Sequence, residues 1–392
     1  MHADSTLQGI IAIHYARYSA TRRLRADVQR AAYCIRDCQT SALGAHVECC
    51  ECGQISRIRY NSCRHRSCPQ CQGGRRAQWL QQLSSQLLPC DHVHVIFTIP
   101  GPLNKLWQFN RALFSDLLMR AARESLDELL SDPKYLGAKP GIISALHTWG
   151  RNLSVHPHVH CLVTAGGIDA EGRFVPLEGK TLLPARVLMA VFRGKFRHAL
   201  KAAIHRGRLM IPKAMTVACV QSLLNRLGRL AWNVRIQQRY PHGVSVAGYL
   251  ARYMTGGPIS NRRIHSATQT EVTFWYRDHR DGAKKLMRLT PDEFLSRWFE
   301  HIPPRGLRMI RRSGLYANSC AKKRVEIQRQ LLASTTNYSA TKCDKKSLAA
   351  ILPLEPERCP VCNTAVVCRD TNIILEPHFV VRKWSIPVNQ PP

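Results

Sequence analysis

Hydrophobic residues in the middle of the chain follow the pattern of buried strands. The run His92–Ile99 is apolar, rich in β-branched residues and bounded by Pro100-Gly101, so it predicts a buried strand. Two more apolar runs, Gly141–Trp149 and His158–Thr164, are joined by the residues Gly150–Ser154. This arrangement predicts an antiparallel hairpin with a somewhat long loop. The centre of the chain therefore supplies the strands of a sheet.

Other parts of the chain have apolar residues at helical spacing, and these predicted helices lie before, between and after the predicted strands. The predicted helices are Arg75–Leu83, Leu103–Leu130, Pro184–Arg206, Val217–Gln238, Ser245–Met254 and Pro291–His301, and Val272–Tyr276 is a further predicted strand. Helices mixed with antiparallel strands predict an α+β fold with a central antiparallel sheet flanked by helices. We expect three successive regions: a cysteine-rich domain over 1–90, the α+β core over 91–265, and a basic C-terminal region over 266–392.

The charge balance points to a polyanion as the partner. The 392 residues include 57 Lys and Arg against 26 Asp and Glu, a formal net charge of +31. Such an excess is typical of proteins that bind nucleic acid. No basic stretch followed by an apolar segment opens the sequence, and no window reaches about 18 apolar residues, so we expect no membrane partner. The predicted location is the cytoplasm, on the nucleoid while the protein acts on DNA.

The cysteines predict zinc rather than disulfides. Sixteen cysteines in a chain without an export signal favour metal binding, because the cytosol keeps thiols reduced, and eight of them lie between Cys34 and Cys71. Two Cys-x2-Cys pairs have the spacing of a tetrahedral, four-thiolate zinc ribbon. The preferred ligands of this structural Zn²⁺ are Cys49, Cys52, Cys68 and Cys71. Region 1–90 is thus predicted to be a small zinc-ribbon-like, DNA-recognition domain.

Other cysteines and histidines leave room for further zinc. Cys38, His46 and Cys63, with Cys34 and His65 nearby, could form a second site, although their spacing fixes no ligand set. Near the other end, Cys359-Pro360-Val361-Cys362 resembles half of a zinc knuckle. The candidates to complete it are Cys343, Cys368 and His378.

His158 and His160 form the first candidate catalytic pair. Alternate side chains of a strand point to one face, so these two imidazoles would lie on the same side, with Cα atoms about 7 Å apart. We expect them to hold a divalent ion that polarises a scissile phosphate and stabilises the leaving 3′ oxygen. The sequence does not decide the third ligand, for which His156 and His94 are the candidates. The alternative interpretation is a basic surface loop that happens to be rich in histidine.

Tyr249 and Tyr253 are the candidate nucleophiles. Four residues apart on a predicted helix, they would lie on one face, where two phenols could attach two DNA strands in turn. The alternative is that they only pack. Arginines near this helix and around the zinc domain are the expected DNA contacts. They are Arg64, Arg66, Arg75, Arg76, Arg252 and Arg263.

Several motifs, in this order along the chain, resemble the IS91 family of transposases, including the related ISCR elements. The matching segments are Asn61-Ser62-Cys63-Arg64 with Cys68-Pro69-x-Cys71, His94–Pro100, His156–His160, and Tyr249-Leu250-x-Arg252-Tyr253 with Pro258–Ile264. The resemblance implies an N-terminal zinc-binding domain followed by an HUH nuclease core, named for its histidine-hydrophobic-histidine strand. It also implies rolling-circle-like transposition through single-stranded DNA, with covalent 5′-phosphotyrosine links and Mg²⁺ or Mn²⁺.

Two other functions are compatible with parts of this pattern. A plasmid or phage replication initiator, or a relaxase, would share the nuclease chemistry. A zinc-dependent DNA-binding regulator would use the cysteines and the charge, while the histidines and tyrosines would only pack. Metal-dependent DNA cleavage separates the second alternative from the transposase, because a regulator binds DNA without cutting it.

Overall fold

The computed structural model describes residues 5–179, 181–240, 248, 257–278, 280–333, 357–375 and 381–382, with backbone alone at 238, 368–375 and 381–382. Its helices are α1 (Leu7–Ala20), α2 (Ala26–Arg36), α3 (Gly73–Ser84), α4 (Asn104–Phe109), α5 (Arg111–Ser131), α6 (Ala185–His205), α7 (Val217–Gly228), α8 (Pro291–Phe299) and α9 (Ala321–Ala333). Its strands are β1 (Ala45–Cys49), β2 (Ser56–Tyr60), β3 (His92–Thr98), β4 (Lys139–Trp149), β5 (Val155–Ile168), β6 (Phe174–Pro176), β7 (Asn233–Tyr240), β8 (Ile264–Ala267), β9 (Val272–Arg277), β10 (Lys284–Leu289), β11 (Ile310–Gly314), β12 (Val367–Leu375) and β13 (Val381–Arg382).

A six-stranded antiparallel sheet is the centre of the larger half of the molecule. Its strand order is β11-β4-β5-β3-β7, and β6 pairs with the end of β5. The hairpin predicted around Gly150–Ser154 is confirmed as β4 and β5, and the predicted strand at His92 is confirmed as β3. The predicted α+β class, with a central antiparallel sheet flanked by helices, is also confirmed.

The strict alternation of side chains gives this sheet two different faces. On one face, Val95 and Phe97 of β3 and Val159 of β5 are completely or almost completely buried in the main hydrophobic core. Helices α5, α6 and α7 cover that core through residues such as Phe114, Phe192 and Leu224. Residues one position along in each strand therefore point to the other face, where the histidines lie.

The second face of the sheet is only partly covered by apolar groups. A smaller core there joins Ile143 and Leu162 of the sheet to Leu80 and Leu83 of α3 and Ile327 of α9. Toward the other end of β4 and β5, the same face carries imidazoles in place of aliphatic side chains. The face thus changes from a packed layer into a polar site.

Two predicted helices differ from the structure. Leu103–Leu130 is divided at Asn110, whose side-chain amide donates to the carbonyl of Leu106 and, across the fold, to that of Met210. The helix expected over Val217–Gln238 is wrong in its second half, because α7 ends at Gly228 and β7 follows. Residues of β7 pair with the buried strand β3. The hydrogen bonds of this pairing outweigh the local helix propensity of the segment.

The chain folds into two compact units whose boundaries differ from the three successive regions expected from the sequence. One unit comprises Met1–Gln78, Thr255–Ile302 and Leu352–Pro392, and the other comprises Trp79–Met254 and Pro303–Ile351. In the first unit, β12 pairs with β1, and Phe299 of α8 packs against Tyr15 and Tyr18 of α1. These long-range contacts draw two later segments of the chain into the N-terminal unit.

None of the helices in the described ranges combines the length and the hydrophobicity that crossing a bilayer requires.

Candidate metal centres

Three histidines of the sheet converge on one site. His158 and His160 come from β5, and His147 lies opposite His158 on β4. Their candidate ligand nitrogens all lie within 4.8 Å of one another. The ring centroids of His147 and His160 are 4.1 Å apart, and those of His158 and His160 are 4.8 Å apart. The geometry is that of a three-imidazole metal site.

His147 could be the third ligand that the sequence left open, because it lies in the same cluster as His158 and His160. Neither His156 nor His94, the two candidates considered, belongs to the three-histidine cluster. His156 is exposed on β5, and His94 lies on β3. His147 escaped the sequence analysis because a lone histidine within an apolar strand carries no spacing motif. Only the register of β4 against β5 brings it to His158.

Neighbouring groups orient the two histidines of β5. The Nδ1 atom of His158 donates to the carbonyl oxygen of His156 over 2.6 Å, which leaves its Nε2 lone pair for a metal. The Nδ1 atom of His160 lies 2.8 Å from Nε2 of His94. When His160 is the donor in this hydrogen bond, its Nε2 is likewise the ligand atom. His94 is thus a positioning residue behind His160.

Burial favours the neutral form of three imidazoles in or beside this site, those of His94, His147 and His160. Desolvation lowers the pKa of His94 to about 4, and it lowers the pKa of His160 still further. The pKa of His147 is also well below its ordinary value, first because of burial and then because other imidazoles surround it. A neutral imidazole offers a lone pair, whereas an imidazolium does not. These histidines are therefore in the state that metal coordination requires.

The donor set fits a divalent transition ion. Imidazole nitrogens suit divalent transition ions such as Zn²⁺, whereas Mg²⁺ prefers oxygen ligands. An ion held by three imidazoles could take water or phosphate oxygens as its further ligands. His147, His158 and His160 would hold the ion.

The histidine face continues across β3 to the edge strand β7. Ile96 of β3 lies opposite His160 on one side and opposite Arg235 on the other. Directly opposed residues of neighbouring strands point to the same face, so Arg235 lies in line with His160, two strands and about 10 Å away. Arg235 is exposed. The sequence analysis missed it because this stretch was predicted to be helical.

The predicted nucleophiles Tyr249 and Tyr253, together with Arg252, lie outside the residues that the structure describes. Their roles stay predictions from the sequence.

Four cysteines of the N-terminal unit form a compact sulfur cluster. Cys38, at the end of α2, meets Cys63, Cys68 and Cys71, with all four sulfurs within 4.8 Å of one another. The Sγ atoms of Cys63 and Cys71 are 3.7 Å apart. Tetrahedral zinc with Zn–S bonds of about 2.3 Å places its sulfurs about 3.8 Å apart, so the cluster has the dimensions of a zinc site with four thiolate ligands.

This grouping differs from the ligand set expected from the sequence. Cys68 and Cys71 lie together as predicted, but their partners are Cys38 and Cys63 rather than Cys49 and Cys52. Cys52 lies in a second cluster with Cys50, and Cys49 belongs to neither cluster. Cys49 ends β1, and successive side chains of an extended chain point in opposite directions, so Cys49 and Cys50 cannot both face one site.

His46 and Cys34, also considered as zinc ligands, lie outside both clusters. The Nδ1 atom of His46 is 2.9 Å from Oδ1 of Asn61, and its Nε2 lies 3.6 Å from a carboxylate oxygen of Glu48. Both ring nitrogens of His46 therefore have oxygen neighbours. Within the described residues, its role is to connect β1 to the segment after β2.

The arginines predicted to contact DNA have different surroundings. Arg64 and Arg75 are exposed, and a guanidinium nitrogen of Arg75 donates to the carbonyl of Arg64. Arg66 is half-buried, and desolvation lowers its pKa. Arg263 donates to the carbonyls of Trp275 and Pro258. Arg263 therefore holds β9 in place, whereas Arg64 and Arg75 can reach a phosphate.

Comparison with known proteins gives consistent matches over most of the chain. Residues 141–324 match the family model described as "Putative transposase", and residues 10–99 match the "Transposase zinc-binding domain" of IS91 elements. The chain is 35% identical over 337 residues to the "Putative transposase y4qJ" of Sinorhizobium fredii, covering 83% of this chain and 84% of the relative. It is 31% identical over 339 residues to the transposase for insertion sequence element IS801 of Pseudomonas savastanoi pv. phaseolicola, covering 84% and 80%. No solved structure matches the chain.

Proposed function

This chain belongs to the IS91 family of transposases, and we propose that it cuts and rejoins single-stranded DNA by metal-dependent tyrosine chemistry of the HUH class. Family membership itself means a DNA-processing protein that carries an N-terminal zinc-binding domain. The proposal adds the reaction, the strand preference and the residues. Rolling-circle-like transposition is the process that this reaction would serve.

The observation that carries the proposal is the convergence of His147, His158 and His160 on one face of the sheet. Three imidazoles within 4.8 Å of one another, two of them buried, are hard to explain as packing, because burying polar rings costs free energy that aliphatic side chains in the same positions would not. A bound divalent ion would polarise the scissile phosphate and stabilise the leaving 3′ oxygen. A strongly basic chain would bring DNA to this site.

The proposed nucleophiles are Tyr249 and Tyr253. The phenolic oxygen attacks phosphorus and forms a 5′-phosphotyrosine, and the departing strand leaves with a free 3′ hydroxyl. The phenol has a reference pKa of about 10, so its proton must pass to a base or to water during the attack. The phosphodiester energy is kept in the new ester, which a 3′ hydroxyl can attack to rejoin DNA. Two tyrosines would allow two strands to be held in turn.

The test is the formation of covalent protein–DNA adducts. Labelled single-stranded oligonucleotides that tile the DNA flanking the gene are incubated with the protein, with and without Mn²⁺, and separated on denaturing gels. We expect an adduct only with Mn²⁺. Its yield should fall in Tyr249→Phe or Tyr253→Phe and disappear in the double variant, because phenylalanine keeps the ring and lacks the oxygen.

Two other outcomes would point elsewhere. Salt-sensitive DNA binding with no adduct under any metal condition favours the DNA-binding regulator. Adducts that form on a replication origin but never join element ends to a target favour a replication initiator or relaxase. Double-stranded oligonucleotides of the same sequence serve as the control for strand preference.

Arg235 is the proposed phosphate contact next to the histidines, since it is exposed on the same sheet face. Alanine at this position should weaken single-strand binding about three- to tenfold at low salt and reduce the slope of log K against log salt by about one. Arg229→Ala is the matched control, because Arg229 is exposed at the end of α7 and does not belong to a strand of the sheet. If the two variants weakened single-strand binding equally, Arg235 would not be a phosphate contact of this site.

A further inference from the structure

We propose that Cys50, Cys52, Cys359 and Cys362 form a second structural zinc site, which joins the N-terminal zinc-binding domain to a segment about 300 residues later. The family model for the zinc-binding domain covers residues 10–99, so it contains at most half of these ligands. The sequence alone identified Cys359-Pro360-Val361-Cys362 as half of a site and offered Cys343, Cys368 and His378 to complete it, whereas the structure places Cys50 and Cys52 there.

The four sulfurs have the dimensions of a zinc site. All lie within 4.8 Å of one another, with 3.4 Å between the Sγ atoms of Cys50 and Cys52 and 3.7 Å between those of Cys52 and Cys359. These distances are close to the edge of about 3.8 Å in a tetrahedral zinc–thiolate centre, and they far exceed the bond of about 2.05 Å in a disulfide. The cluster is therefore a set of thiol ligands.

The backbone around each cysteine pair turns in the manner of a zinc knuckle. Gly53 follows Cys52 with φ of 76°, and Asn363 follows Cys362 with φ of 55°, so both pairs are followed by a left-handed residue. Glycine and asparagine are the residues that adopt this conformation at least cost. The turns direct backbone N–H groups at sulfur: Ile55 donates to Cys50 over 3.1 Å, and Val361 donates to Cys359 over 3.4 Å.

Contacts outside the sulfurs hold the two halves in register. Strand β12 pairs with β1, so that Cys49 lies opposite Val367. Arg57 of β2 donates both to Glu48 and to Glu357, two residues before Cys359. The backbone N–H of Glu51 donates to the hydroxyl of Thr364 over 3.4 Å. The two knuckles therefore meet through a sheet, an ion-pair network and a turn contact as well as through sulfur.

Zinc content tests the site directly. We expect the full chain carrying both Cys359→Ser and Cys362→Ser to retain one zinc ion fewer than the wild-type chain, as measured by mass spectrometry of the metal. Cys320→Ser is the control, because Cys320 belongs to neither cluster and should change nothing. A double variant with the zinc content of the wild type would overturn the proposal.

A second measurement needs no variant and so does not depend on how a variant folds. Cys52 and Cys219 are both exposed, but only Cys52 is a proposed ligand. In the native chain, iodoacetamide should modify Cys219 while sparing Cys52 and Cys359, and a zinc chelator should make both spared cysteines reactive. Equal labelling of Cys52 and Cys219 before chelation, or a disulfide among the four cysteines, would contradict the proposal.

Discussion

The His147→Ala variant is expected to lose metal-dependent adduct formation by about 100-fold or more at limiting Mn²⁺. The loss follows from the geometry, since His147 supplies one of three imidazoles within 4.8 Å of one another, and two ligands hold a divalent ion far more weakly than three. The rate is measured from adduct yield over time on the cleaved oligonucleotide. Raising Mn²⁺ should restore part of the activity, because the missing ligand lowers affinity before it changes the chemistry.

His156→Ala is the matched control for this variant. His156 is an exposed histidine of β5, two residues from His158 and outside the three-histidine cluster. Alanine keeps its backbone carbonyl, which accepts from Nδ1 of His158, and removes only a ring whose centroid is 5.0 Å from that of His158. We expect nearly full activity. His147 is buried, so its removal can also leave a cavity, and the melting temperature of both variants should be compared. If His147→Ala kept wild-type rates at low Mn²⁺ while His158→Ala did not, His147 would not be a ligand.

The Cys63→Ser variant is expected to unfold the N-terminal unit. Cys63 is one of four sulfurs around the proposed zinc, and a structural zinc site contributes about 10 kcal/mol or more of apparent binding free energy to the fold that it closes. The short strands β1 and β2 contribute little core around this cluster, since β1 has one buried residue and β2 has none. In calorimetry, the unfolding transition of the N-terminal unit should disappear or move to a much lower temperature, while the transition of the second unit should be retained.

Cys34→Ser is the control for the zinc prediction. Cys34 lies one helical turn before Cys38 on α2 and outside both sulfur clusters, so serine there should change stability by less than about 1 kcal/mol. A zinc chelator applied to the wild-type chain should reproduce the Cys63→Ser result. If the variant kept its zinc and both transitions, Cys63 would be a packing residue rather than a ligand.

The sequence predicted what depends on neighbours along the chain. Strand alternation placed His158 and His160 on one face, and apolar runs located β3, β4 and β5, because these patterns repeat every second residue. His147 could not be found in this way. Its partnership with His158 exists only through the pairing of β4 with β5, and no spacing in one strand encodes the register of its neighbour.

The sequence could not assign the zinc ligand sets, and the reason is related. Two Cys-x2-Cys pairs suggest one local zinc ribbon, so Cys49 and Cys52 were paired with Cys68 and Cys71. In the fold, Cys38 comes from the end of a helix, and Cys359 comes from a distant segment that reaches β1 through β12. The number and spacing of the cysteines correctly predicted clusters that could bind zinc. Which cysteines share a cluster depends on tertiary contacts.

The pairing of β12 with β1 also sets an order of events during translation. Cys52 leaves the ribosome 307 residues before Cys359, and synthesis at about 5–20 residues per second separates them by roughly 15–60 s. Throughout that interval β1 has β2 on one side and an open edge on the other, while the six-stranded sheet is already emerging. The nascent N-terminal unit must therefore wait, with an edge exposed to other chains, for the last strands that complete it.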